Sequence, residues 1–285
     1  PALAQPLRRR ITGEDEVALA HAGTIGYVLS GVIGRLVGKN SASTEEMNLP
    51  KNLGFLRDST ISISLTMMVV YIILCLCSGS SYVEQNFSQG QNFFIFSVIM
   101  GITFAAGVYI ILAGVRLILS EIVPAFQGFS ERLVPDAKPA LDCPIVYPYA
   151  PNAVLIGFVS SFIGGLVGLV ILGKLDWVLI LPGVVPHFFT GATAGVFGNA
   201  TGGRRGAVMG AFANGLLITF LPAILLPLLG QVGLQNTTFS DSDFGVVGIL
   251  LGNAIKYLTP TVIISLLVVI YILMIGYHMI AKKKA

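Results

Sequence analysis

The sequence predicts an all-α polytopic membrane protein, and three observations carry that prediction. Of 285 residues, 54% are hydrophobic and only 11% charged, against about a quarter charged in soluble domains. Thirteen of the thirty-one charged residues fall within the first 58 positions, leaving an apolar body behind a polar front. Six windows then run free of Asp, Glu, Lys and Arg, at 59–79, 93–115, 144–173, 178–203, 206–230 and 257–280. Each has the length of about 20 residues that a spanning helix needs. Their Gly and Pro content suits a bilayer, where neighbouring helices re-satisfy freed backbone groups.

The front begins at Pro1 with neither an initiator Met nor a signal-peptide pattern, as a fragment would. Arg8, Arg9 and Arg10 read as a cytoplasmic cluster that fixes orientation; three arginines beside a membrane body do not make a nucleic-acid surface. Residues 14–38, EDEVALAHAGTIGYVLSGVIGRLVG, start with acids that suit a first helical turn. They then become apolar, with five glycines around His21 and Arg35. A re-entrant hairpin lined by protein or water fits this text, and so does an amphipathic helix on the cytoplasmic face. Residues 40–57 read as a polar linker without legible chemistry.

Orientation follows from Lys and Arg, which favour cytoplasmic loops. Loops 80–92 and 231–244 contain neither, whereas Arg132, Lys138, Arg204, Arg205 and Lys282 to Lys284 lie on the opposite side. Both visible ends are therefore expected in the cytoplasm, with Lys174 as the exception. Gly164/Gly168, Gly191/Gly195, Gly198/Gly202 and Gly206/Gly210 are small-xxx-small pairs that let helix backbones approach. Cys75, Cys77 and Cys143 show no zinc or disulfide spacing, so no metal is expected. Asn86-Phe-Ser88 and Asn236-Thr-Thr238 match a glycosylation pattern too short to carry weight.

Two windows are interrupted. In 141–154, LDCPIVYPYAPNAV, Asp142 stands at the mouth of a span broken by Pro144, Pro148 and Pro151, each of which removes an amide donor. Broken helices are where transporters place binding sites, and an acid there is a functional candidate; a helix cap is the other reading of Asp142. In 181–205, LPGVVPHFFTGATAGVFGNATGGRR, Pro182-Gly183 and Pro186 precede a small, polar run. His187, beside Phe188 and Phe189, reads as a packing residue, and Lys256 as one that snorkels to an interface.

These residues, with AGVRLILSEIVPAFQGFSERLVPDAKPALDCPIVYPYAPNAV as the longest run, resemble the ascorbate-type IIC permeases of the bacterial phosphotransferase system. The resemblance covers nearly all of this chain but only the C-terminal part of a typical member. It implies a homodimer in the bacterial inner membrane, with a scaffold of V-shaped helices and a core domain that carries the sugar in an elevator-like movement. By that analogy 1–58 is a cytoplasmic linker with a possible re-entrant hairpin, 59–122 the scaffold, and 123–285 the core with its broken helices. His21, Asp142 and Gly183 match residues that contact the sugar. Where the best-known members have Gln after the histidine this chain has Ala22, which widens the expected solute to related acidic or polyhydroxylated sugars. His21 and Asp142 would hydrogen-bond hydroxyl groups, Gly183 would let its backbone approach, and Asp142 could act as base toward the accepting hydroxyl. Phosphoryl transfer falls to a phosphorylated cytosolic IIB subunit carrying a phosphocysteine, because this chain has no phosphate-cradling glycine loop or magnesium-binding acid cluster. No cofactor is expected, and the partners are membrane lipid, a sugar or sugar acid, and that subunit. Whether the chain is itself catalytic stays open. The alternatives are an ion-coupled secondary transporter in which Asp142 titrates, a membrane enzyme with Cys143 as nucleophile, and a structural scaffold.

Overall fold

The computed structural model describes residues 3–47, 58–132, 138–235 and 237–284. Asn236 and the side chains of Arg132, Lys256 and Lys282 to Lys284 lie outside the described set, so the expectations placed on them go no further. Helices dominate throughout. Four of them, Thr60–Ser78, Phe93–Phe126, Pro151–Lys174 and Val184–Gly230, are long and apolar enough to cross a membrane. Their outward Leu, Ile, Val and Phe side chains are exposed in large number, a surface that water would not tolerate and lipid does. The chain is an all-α polytopic membrane protein.

The front opens with α1 (Gln5–Thr12), closed by the left-handed Gly13. It continues through strand β1 (Ala18–Leu19) into α2 (Thr24–Val37). Arg8 corrects the reading of its cluster. It is fully buried, with its guanidinium donating to Thr12 Oγ1 at 3.1 Å and to the Glu14 carbonyl at 2.7 Å. Its job is therefore internal to the fold, since a buried guanidinium is tolerated only with such partners.

After a short 3-10 turn (Thr44–Glu46) comes α3 (Ser59–Ser78). Asp58 caps it by accepting from the amides of Thr60 and Ile61 at 2.9 and 3.1 Å. A short α4 (Ser80–Asn86) turns the chain into α5 (Phe93–Arg132), and α3 and α5 pack chiefly on each other. The apolar window ended at Val115, but the helix does not, because one Arg116 at the end of a span leaves helix propensity intact.

The window at 144–173 divides as its prolines predict. Strand β2 (Ala140–Leu141) leads to a 3-10 stretch, Cys143–Tyr149, and only then to α6 (Pro151–Lys174). Of the polar linker 40–57, residues 48–57 lie outside the described residues, and residues 40–47 hold more chemistry than the sequence showed. Glu45 accepts from the first amides of α6, Asn152 and Ala153, at 3.3 and 3.1 Å, and Thr44 N donates to Asn199 Oδ1 at 2.9 Å. Replacing Glu45 by Ala is expected to lower stability by about 1 kcal/mol, the usual size of a lost cap, read as a fall in melting temperature.

The second broken stretch runs from α7 (Val184–Pro186) through a π-helical turn, His187–Gly191, into α8 (Ala192–Gly230). At Gly202 and Gly203 the backbone leaves the helix, Gly203 at φ 54° and ψ −148°, a region that other residues avoid. The chain reverses there. Asn214 bonds Thr190, Ser30 touches both Ala194 and Gly210, and Gly198 meets Gly206. Each added step up one arm is matched by a step back down the other, so the arms are antiparallel. Windows 178–203 and 206–230 are the two arms of a tight hairpin. Gly198/Gly202 and Gly206/Gly210 line this seam and that with α2, whose Gly34 and Gly38 lie against Gly198 and Gly202, whereas Gly191/Gly195 meets Gly157 of α6 and Gly164/Gly168 of α6 meets Phe212 and Thr219 of the second arm.

Beyond the hairpin, α9 (Ser242–Tyr257) and α10 (Pro260–Lys284) follow. The sequence foretold only α10, because Asp243 and Lys256 kept α9 out of any charge-free window.

Candidate functional site

The site starts from a very short parallel sheet. β1 pairs with β2 in the register Ala18 to Ala140 and Leu19 to Leu141, and Ala20 N donates to the Leu141 carbonyl at 2.7 Å. The residues just past that ladder are His21 and Asp142. A clip beside it holds the two segments together: the Asp15 carboxylate takes ion pairs from Arg9 and Lys138 and a hydrogen bond from Gln5 at 2.8 Å.

Lys138, then Arg9 and Gln5, hold the Asp15 carboxyl well below the usual carboxylate range. A depressed acid stabilises the fold above its unfolded pKa of about 4 and loses that contribution as pH falls. Asp15→Asn is therefore expected to lower the melting temperature at pH 7 and to flatten its fall below about pH 4. A melting curve unchanged at pH 7 would remove the clip from the account.

His21 occupies the centre. Its Nδ1 lies 2.7 Å from Tyr27 Oη and 3.5 Å from Asp241 Oδ1, while Nε2 is 3.9 Å from Asp142 Oδ1. The last gap is too long for a hydrogen bond and is one that a single bridging oxygen can span. Asp142 Oδ1 also accepts the Cys143 amide at 2.7 Å, so it caps the 3-10 stretch. The side chain nonetheless stays 64% exposed, open to a solute.

Asp241 was not foreseen. The run Asp241-Ser242-Asp243 before an apolar stretch signals a helix start, but nothing in it names its neighbour. Asp243 Oδ1 accepts the Ile25 amide at 2.8 Å, Ser242 Oγ accepts that of Gly26 at 3.1 Å, and Asp243 N donates to the Ala22 carbonyl at 2.8 Å. The starts of α2 and α9 are thus locked together, which sets Asp241 against His21. Burial pushes the Asp241 carboxyl upward; His21 opposes this, and the charges of Asp142 and Asp243 add to it.

The two broken stretches meet directly beneath. Tyr147 Oη donates to the Phe189 carbonyl at 2.9 Å, a group of the π-turn, and Tyr147 stacks edge-on against Phe188. His187 packs as its surroundings implied: it is buried, 2.9 Å from Ser161 Oγ through Nδ1 and edge-on to Phe162. Gly183 is different. It is exposed, and a Cβ there would meet only the Pro186 ring within 4 Å, at 3.1 and 3.3 Å. The structure brings His21 and Asp142 together and leaves Gly183 out of contact with them.

His21, Asp142 and Cys143 place one donor atom each within 4.8 Å of one another. Burial, then the charge of Asp142, keeps the Cys143 thiol well above its ordinary range. Held protonated, the thiol is a weak nucleophile.

Residues 1–243 match the family described as EIIC-GAT, PTS system sugar-specific permease component. Over 227 residues, 70% of this chain and 34% of the other, the chain is 25% identical to a protein of Mycoplasma pneumoniae (strain ATCC 29342 / M129 / Subtype 1) named "Ascorbate-specific PTS system EIIC component". The chain spans about a third of the length of that curated relative.

Proposed function

Since the chain belongs to the EIIC-GAT family of phosphotransferase-system sugar-specific permease components, we propose that it forms the translocating part of a sugar permease for L-ascorbate or a related sugar acid. The observation that supports this most is the pairing of His21 with Asp142, residues far apart in sequence, 3.9 Å from each other above two interrupted helices. A hydroxyl between them would accept from His21 and donate to Asp142. A site built that way rejects analogues without the hydroxyl, because its own polar groups would be left unpaired. Asp142 would then receive the proton when the phosphorylated cytosolic IIB subunit transfers its phosphoryl group from cysteine to the solute hydroxyl. Gly183 keeps a role only if the π-turn region moves toward the pair when solute binds.

The division at 59–122 and 123–285 gains support from the way α3 and α5 pack on each other. An apolar groove of 600 Å³, lined by Leu65, Val69, Ile73, Phe158, Phe162 and Leu166, separates α3 from α6. A weakly joined pair of helices is what an elevator scaffold needs, with a homodimer as its anchor. The α2 helix travels with the core in this scheme, since it lies in the hairpin seam. Both visible ends face the cytoplasm.

The test is uptake into vesicles made with the full-length permease. Transport that requires the phosphorylated IIB subunit and yields phosphorylated solute supports the proposal. Asp241 beside the other acid favours one alternative, a proton-coupled secondary transporter, and uptake driven by a pH gradient without the partner would select it.

A further inference from the structure

His21 lies between two carboxylates that come from different parts of the fold. Asp142 approaches Nε2 from the β2 side and Asp241 approaches Nδ1 from the start of α9. With both acids ionised, two carboxylate charges flank the imidazole before any solute arrives. An anionic sugar would add a third in a partly desolvated space, where like charges repel far more strongly than in water. An uncharged sugar would meet no such barrier. One proton taken up by the site offsets the single charge that the sugar brings.

The two acids are not equivalent as acceptors of that proton. Asp142 is 64% exposed and its Oδ1 accepts a backbone amide, so solvent and the peptide group already serve it as partners. Asp241 is 31% exposed and makes no side-chain cap to α9. The groups facing it are His21 from the β1–α2 turn, Asp142 from the β2 side, Tyr27 from α2 and Asp243 on its own helix. Two of the four are acids and one is a buried phenol, so only His21 favours its charge.

We propose that Asp241 takes up the proton that admits an anionic sugar to this site, so that sugar-acid binding is proton-linked and the binding of an uncharged sugar is not. The inference rests on the sugar-permease reading and adds to it a residue and a substrate-class criterion. No bond other than O–H forms or breaks, and the proton comes from solvent.

Calorimetric titration of the full-length protein in lipid nanodiscs tests it, using L-ascorbate and an uncharged hexose in buffers of different ionisation enthalpy. Ascorbate binding is expected to take up close to one proton, and to weaken about tenfold per pH unit above the Asp241 pKa. The hexose is expected to bind without proton uptake. Asp241→Asn should make ascorbate binding independent of pH, with an unchanged melting temperature because the side chain caps nothing. Ascorbate binding without proton uptake overturns the inference, and so does an Asp241→Asn variant that keeps the wild-type pH dependence. Binding of the hexose with none of ascorbate at any pH overturns it while leaving a sugar permease in place. Failure of both ligands to bind removes the permease reading and this inference with it.

Discussion

Asp142→Asn is expected to abolish solute uptake while leaving membrane insertion and the melting temperature near wild type. The substitution is unusually clean at this position. Asn caps a helix start as well as Asp does, so the bond to the Cys143 amide survives and the 3-10 stretch stays formed. What goes is the charge that faces His21 across 3.9 Å and the acceptor offered to a solute hydroxyl. One hydrogen bond to a charged group is worth about 1.5 to 3 kcal/mol, roughly tenfold to a hundredfold in affinity. Loss of the proposed base would add to the effect on phosphoryl transfer. Normal uptake by this variant would move the solute site elsewhere.

Gly206→Ala is expected to prevent the transport core from folding. A Cβ on Gly206 would stand 2.2 Å from the Gly198 carbonyl oxygen and 3.0 Å from the Gly34 Cα. Both obstacles are backbone, with no side chain free to swing away. Overpacked cores lose about 1 to 3 kcal/mol and sometimes more. Here the seam joins both arms of the hairpin and α2, so separation of all three is the expected result, read as aggregation in size-exclusion chromatography. Gly107→Ala on α5 is the control. Nothing lies within 4 Å of its would-be Cβ, and Ala is the better helix former by about 1 kcal/mol. A Gly206→Ala protein that melts like the control would refute the close hairpin.

Most of the fold was legible because charge-free length is a direct consequence of a hydrocarbon solvent. The windows at 59–79 and 257–280 correspond closely to α3 and α10, and the three prolines announced the break before α6. The hairpin at Gly202 and Gly203 lay hidden in the gap between two windows, and its glycines were readable as seams though not as partners of α2. The site was half legible. His21 and Asp142 carried a family resemblance, but only the pairing of β1 with β2 shows that they adjoin, and a two-residue parallel ladder leaves no periodic signal. Asp241 could not have been foreseen, since its place depends on hydrogen bonds that Asp243 and Ser242 accept from the Ile25 and Gly26 amides of α2. Arg8 misled because a run of arginines looks the same whether it faces lipid headgroups or a carbonyl.

The decisive measurement is a structure of the full-length protein with L-ascorbate bound. A solute hydroxyl is expected within about 2.6 to 3.2 Å of both His21 Nε2 and the Asp142 carboxylate, with β1 and β2 still paired. Solute lodged away from both side chains, or the two residues drawn apart around an empty space, would contradict it.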